Sequence, residues 1–184
     1  MSYTIRPGVS SDSKALSILL KESFYQAFRN VEGVTEEFFN NYFKTTLNPN
    51  NLKKVLENDK WTFLVAELEN EPEKLQGMIQ ILHPNNDDND EISFKKNLNK
   101  QVHLSRFYLL PSSQGSGLAL ILFEEILKIC KNLKYTTMEL DVLSTNYRGI
   151  RFYEKMGFKK IKEVHNEGDD KFKRVDWIMI KDLI

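Results

Sequence analysis

The chain has 184 residues, with 26 Lys plus Arg set against 26 Asp plus Glu, so its formal net charge is zero. That length predicts one domain, residues 1–184, able to bury a core without staples, and the lack of a basic field argues against a nucleic-acid binder. The single cysteine, Cys130, leaves no internal disulfide and fits a reducing, cytoplasmic setting. No apolar run nears the roughly 20 residues of a membrane span, and the first residues lack a signal peptide's apolar stretch.

A short strand at Tyr3–Arg6 leads into the cap-forming cluster Ser10-Ser11-Asp12-Ser13 and a first helix marked by Leu16, Leu19, Leu20, Phe24 and Ala27. Thr35 caps a second helical segment carrying Phe38, Phe39, Tyr42 and Phe43. Asn48-Pro49-Asn50 ends it before a short helix at Leu52–Leu56. Trp61–Leu68 and Leu75–Leu82 read as antiparallel strands joined by the polar loop 69–74, and residues 83–100 read as an exposed excursion. Then come a strand at 102–110, a helix at 115–133, a strand at Thr136–Leu143, a helix at Asn146–Met156, and strands at Phe158–Val164 and Arg174–Ile180. The order β-α-α-β-β-β-α-β-α-β-β predicts an α/β fold: a mixed, mostly antiparallel sheet with a central βαβ unit.

The stretch Gln114-Gly115-Ser116-Gly117-Leu118-Ala119-Leu120 sits where strand 102–110 gives way to a helix. Its glycines permit close approach and positive φ, and the first N–H groups of the helix have no intrahelical partners, so the loop is suited to an anion. No Lys-Ser or Lys-Thr follows, which argues against a nucleotide triphosphatase. A dinucleotide reading gains Glu139, 22 residues past Gly117, but loses the third glycine to Leu120 and the tight turn to Pro111-Ser112-Ser113.

Further on, Asn146, Ile150, Tyr153 and Gly157 fall at offsets that share one helix face, with Asn146 and Tyr153 about 10 Å apart along the axis. They would meet an extended ligand at two points, and Gly157 ends the helix at C′. Taken together, Gln114-x-x-Gly117-x-Ala119 and Asn146 with Phe152-Tyr153-Glu154-Lys155-x-Gly157-Phe158 resemble the GCN5-related N-acetyltransferase family. The carboxyl end from Trp177 to Leu183 and the aromatic first helix are similar to its polyamine-acetylating, PaiA-like bacterial branch.

The resemblance implies that acetyl-CoA is the cosubstrate and enters a splay between strands 102–110 and 136–143. Backbone groups of Phe107, Tyr108 and Leu109 would then pair with the pantetheine arm, and the N–H groups of Gln114 through Leu120 would surround the pyrophosphate. Asn146 would bond the arm, and Tyr153 would lie beside the sulfur. The acceptor implied is a primary amine, a small molecule such as a polyamine or a peptide amine, and a homodimer is the candidate assembly. No nucleic acid, membrane or metal partner is expected.

A phenol with an ordinary pKa of about 10 is protonated at neutral pH, which makes Tyr153 the expected general acid. The base stays open among Ser105, His103, Glu139, Asp141 and water; Ser105 stands where many relatives carry glutamate. Cys130 lies far from the loop with no histidine spaced to activate it, so direct transfer in a ternary complex is expected over an acyl-enzyme. The acidic stretches Asp87–Glu91 and Glu167–Asp170 are expected to draw in a cationic amine. Two alternatives keep the fold without this chemistry: a non-catalytic acyl-CoA-binding module and a dinucleotide-binding oxidoreductase.

Overall fold

In the computed structural model, which describes residues 2–84, 100–166 and 174–184, the chain opens with β1 (Tyr3–Pro7), α1 (Ser13–Phe28), α2 (Glu36–Thr45) and α3 (Pro49–Leu56). It continues through β2 (Trp61–Leu68), β3 (Glu71–Leu82), β4 (Gln101–Leu109), α4 (Leu118–Asn132), β5 (Thr137–Leu143), α5 (Tyr147–Lys155), β6 (Lys159–Asn166) and β7 (Arg174–Asp182). The strands form one sheet in the order β1-β2-β3-β4-β5-β7-β6. All neighbours are antiparallel except β4 and β5, which run parallel across the α4 crossover.

Three helices precede β2, one more than the order β-α-α-β counts, and the short helix expected at Leu52–Leu56 begins earlier, at Pro49. Asn48 is the reason: its Oδ1 accepts from Asn51 N (3.0 Å) and Pro49 follows at the first helical position, so a stretch read as a terminator starts α3. The loop expected at 69–74 also shrinks, because β3 already begins at Glu71, opposite Leu68. Backbone pairing continues past polar side chains at a hairpin tip where both faces meet solvent.

The sheet separates two apolar clusters. On one face α4 and α5 bury Leu118, Leu122, Phe123, Ile126 and Ile150 against Val102, Leu104, Met138, Leu140 and Met179. On the other, Leu16, Leu19 and Leu20 of α1, Phe39 of α2 and Leu52 of α3 cover Phe63, Val65 and Met78. Each fully buried leucine contributes about 1.5–3 kcal/mol of transfer free energy. The α1–α2 corner is held by rings: Phe24 stacks on Phe28 (4.4 Å) and on Tyr42 (4.5 Å).

One local irregularity governs the rest. Across β3 and β4, Gln80 faces Arg106 while its neighbour Ile81 faces Leu104, so Ser105 is an extra residue, a β-bulge. The strand changes face there: Val102 and Leu104 point into the α4 cluster, and after the bulge Phe107 and Leu109 do. Ser105 and His103, expected to alternate onto one face, are separated by this step, and Arg106 takes the place beside His103. The acidic stretches at 87–91 and 167–170 lie outside the described residues.

Candidate active site

The parallel ladder of β4 and β5 runs from Gln101 opposite Thr137 to Leu104 opposite Leu140 and ends there. Both strands continue: β4 pairs with β3 out to Leu109, and β5 pairs with β7 out to Leu143. The two strands therefore part just after the bulge, leaving a wedge whose β4 wall is the segment 105–109. Phe107, Tyr108 and Leu109 all lie on that wall.

The wedge opens toward the glycine loop. Gly115 and Gly117 have φ of +82° and +85°, left-handed values that a right-handed helix excludes, so α4 starts at Leu118 and not at 115. A Cβ built on either glycine would meet nothing within 4 Å, so both face open space. Not all of the expected N–H groups are available. Gln114 N donates to Pro111 O (3.3 Å) and Leu120 N to Gly117 O (3.0 Å), while Leu118 N lies 3.4 Å from Ser116 Oγ. Among the described residues, the N–H groups of Gly115, Ser116, Gly117 and Ala119 have no protein acceptor. Ser116 Oγ stiffens the loop by donating to Ser113 O (2.7 Å) and accepting from Tyr3 Oη (3.0 Å).

Asn146 is the N-cap of α5, not its first turn: Oδ1 accepts from Gly149 N at 3.0 Å. Its carboxamide NH₂ remains as a donor. Gly157, at φ +89°, ends the helix, as the sequence predicts. Arg148, from the first turn of α5, donates through Nη1 to Gln114 Oε1 and ties the helix to the glycine loop. Beside it lies an open groove lined by Tyr147, Arg148, Arg151, Phe152 and Lys155. Three cations in that groove, next to a loop of free N–H groups, form a positive surface that sequence reading missed. Its trace was the recurrence of basic residues at 148, 151 and 155, three and four apart.

Tyr153 sits on α5 against Phe152 and Phe158 and packs onto the α4-side core. Although part of the residue is exposed, desolvation pushes its phenol well above the usual range, and Tyr108 adds to the rise. Burial also pushes Tyr108 up, to about 12, with Tyr42 adding and Arg106 and Arg174 opposing. Tyr153 therefore holds its proton throughout the neutral range.

Three of the four candidate side-chain bases come together. His103 faces Glu139 across the ladder, and its Nδ1 and Nε2 lie 4.0 Å from Glu139 Oε1 and Asp141 Oδ2 respectively. Ser105 donates only a long bond to His103 O, 3.5 Å. Cys130 is buried, and desolvation pushes its thiol up to about 12, which makes it a poor nucleophile. Among the described residues, no group of three His, Cys, Asp or Glu side chains is placed to hold a metal ion. No described helix is long and apolar enough to cross a membrane.

A splayed mixed sheet, a left-handed glycine loop opening the crossover helix and a tyrosine at the splay define a recognisable class of α/β protein. Residues 21–158 match the Acetyltransferase (GNAT) family, and the chain belongs to it. Among curated proteins it is similar to an uncharacterised N-acetyltransferase of Schizosaccharomyces pombe, 38% identical over 56 residues, or 30% of this chain and 34% of that protein. An uncharacterised N-acetyltransferase of Mycobacterium tuberculosis is 32% identical over 85 residues, 46% of this chain and 54% of that protein. The chain thus spans about a third to a half of these relatives' lengths.

Among solved structures, the PaiA N-acetyltransferase of Thermoplasma acidophilum in complex with coenzyme A shares the fold with a TM-score of 0.77 and 23% identity, covering 99% of each chain. The yncA protein of Salmonella typhimurium, with its cofactor acetyl-CoA, has a TM-score of 0.74 and 18% identity over 100% of this chain and 95% of that one.

Proposed function

We propose that the chain is a single N-acetyltransferase domain that passes an acetyl group from acetyl-CoA to a primary amine by direct attack in a ternary complex. The observation that carries this reading is the end of the β4–β5 ladder at Leu104 and Leu140, just where β4 turns toward the glycine loop. The residues present fit the cofactor. The unpartnered N–H groups of Gly115, Ser116, Gly117 and Ala119 suit a pyrophosphate. The 105–109 edge of β4 suits an amide-bearing arm, the carboxamide NH₂ of Asn146 suits a carbonyl of that arm, and Arg148, Arg151 and Lys155 suit the remaining anionic charge.

Acetyl-CoA supplies an acyl group already activated as a thioester. Tyr153 holds a proton at Oη where a departing sulfur needs one. Because burial makes the phenol a weaker acid, position and hydrogen bonding, more than acidity, are its contribution. An alkylamine arrives protonated at pH 7 and has to lose a proton. His103, set between Glu139 and Asp141, accepts it directly or through water. The test is thiol release from acetyl-CoA with a panel of polyamines, amino acids and peptides. Release with at least one amine supports the enzyme; tight coenzyme A binding with release from none would favour the non-catalytic binding module.

A further inference from the structure

The bulge at Ser105 places two side chains of opposite character on one open face. Gln80 and Leu82 lie two residues apart on β3, so they share a face about 7 Å apart. Their partners on β4 are Arg106 and His103. Without the extra residue, Arg106 would point into the α4-side core. With it, Arg106 follows the acid-flanked His103 on the same face, at positions whose backbones lie about 7 Å apart, and precedes Tyr108.

Arg106 is half-buried and poorly satisfied. A guanidinium carries five N–H donors, yet among the described residues Arg106 makes one hydrogen bond, from Nη1 to Gln80 Oε1 (3.2 Å), and no carboxylate among them pairs with it. Other half-buried arginines are treated differently. Arg6 grips Asp12 through two nitrogens (2.8 and 2.9 Å) and also Glu67 (3.2 Å), and Arg174 holds Asp176 at 2.9 Å. A partly desolvated cation that keeps one neutral partner is poised to accept an anion. It stands next to Tyr108, two residues on and on the same face of β4.

We infer that Arg106 anchors a carboxylate of the acceptor, so that the amine acetylated belongs to an amino acid and not to a polyamine. The inference rests on the acetyl-transfer reading. Planar carboxylate suits the guanidinium fork. Glu139 and Asp141 on the neighbouring strand disfavour a dianion such as phosphate and favour the cationic amine of the same molecule. A polyamine would bring only positive charge to Arg106.

The test begins with equilibrium binding of acetyl-CoA, before any amine is added. Thiol release is then measured with glycine, L-leucine, L-phenylalanine and L-glutamate, with the carboxamide of each, and with putrescine and spermidine. At least one free acid should exceed its own amide by tenfold or more in kcat/KM, although the amide's less basic amine is richer in the neutral form. Arg106→Gln should raise KM for that acid about 10–100-fold and collapse the acid-over-amide ratio toward one; Arg106→Lys should restore part of it. Equal turnover of acids and amides, a preference for the polyamines, an unchanged ratio in Arg106→Gln, or no transfer to any acid by protein that binds acetyl-CoA overturns the inference and leaves the cofactor reading standing. Failure to bind acetyl-CoA would overturn both.

Discussion

The two halves of β4 differ in one respect. From Gln101 to Leu104 the strand pairs with β5, and at His103 and Leu104 with β3 as well; beyond the bulge, from Arg106 to Leu109, its ladder is with β3. The first half is structural: Val102 and Leu104 are buried, and the strand is held to β5 throughout. Among the described residues the second half keeps an edge with no strand partner, with Ser23 Oγ donating to Leu109 O at its far end (3.1 Å); such an edge is a liability that proteins usually cover. Here it faces a wedge bounded by the glycine loop and α5, so the exposed edge becomes the place where an extended ligand can add itself as a strand. A single extra residue marks the boundary between the halves.

Substitutions on either side of Ser105 should therefore act on different quantities. The largest effect belongs to α5, across the wedge from the open half: Tyr153→Phe should lower kcat by about 10²–10⁴-fold while the Kd for acetyl-CoA stays within about threefold. Turnover within a factor of two would remove Tyr153 from the chemistry. In the closed half, Leu104→Ala should cost about 2–5 kcal/mol in denaturant unfolding and leave cofactor affinity intact in the folded fraction.

The groove on α5 should give a smaller change. Replacing Arg151 and Lys155 together by glutamine should weaken acetyl-CoA binding about 3–30-fold and flatten its salt dependence, with kcat at saturation preserved. A Kd within a factor of two of the parent would take the groove out of cofactor binding.

The smallest effect is on pH dependence. Cys130 and Tyr108 are both pushed up to about 12 by burial, from ordinary values of 9.0 and 10.0. Folding therefore favours their neutral forms. The stability they provide is complete below about pH 9 and is lost as pH rises toward 12. Unfolding midpoints measured from pH 8 to 11 should fall, and Cys130→Ala should fall less steeply than the parent.

Much of this was legible in the sequence because it is local. Periodicity marked the helices, branched and aromatic runs marked the strands, and Gly115, Gly117 and Gly157 marked points where φ turns positive. What was missed depends on register or on distant contacts. The bulge did leave a trace: apolar residues at 102, 104, 107 and 109 step by two, three and two, and the three is the extra residue. The meeting of His103 with Glu139 and Asp141 depends on how two parallel strands slide past each other, which neither strand encodes alone. The Arg148–Gln114 bond joins residues 34 apart. Asn146 was placed one position too deep because apolar periodicity locates a helix end only to within a residue or two, although Asn is itself a favoured cap.

Backbone hydrogen exchange on β4, with and without coenzyme A, tests the difference between its halves most directly. Peptides covering 105–109 should become more protected when coenzyme A is added, while the amides of His103 and Leu104, paired on both sides, should be slow in both states. Equal protection of 105–109 with and without the ligand, under conditions where binding is saturated, would contradict the claim that the free edge of β4 receives it.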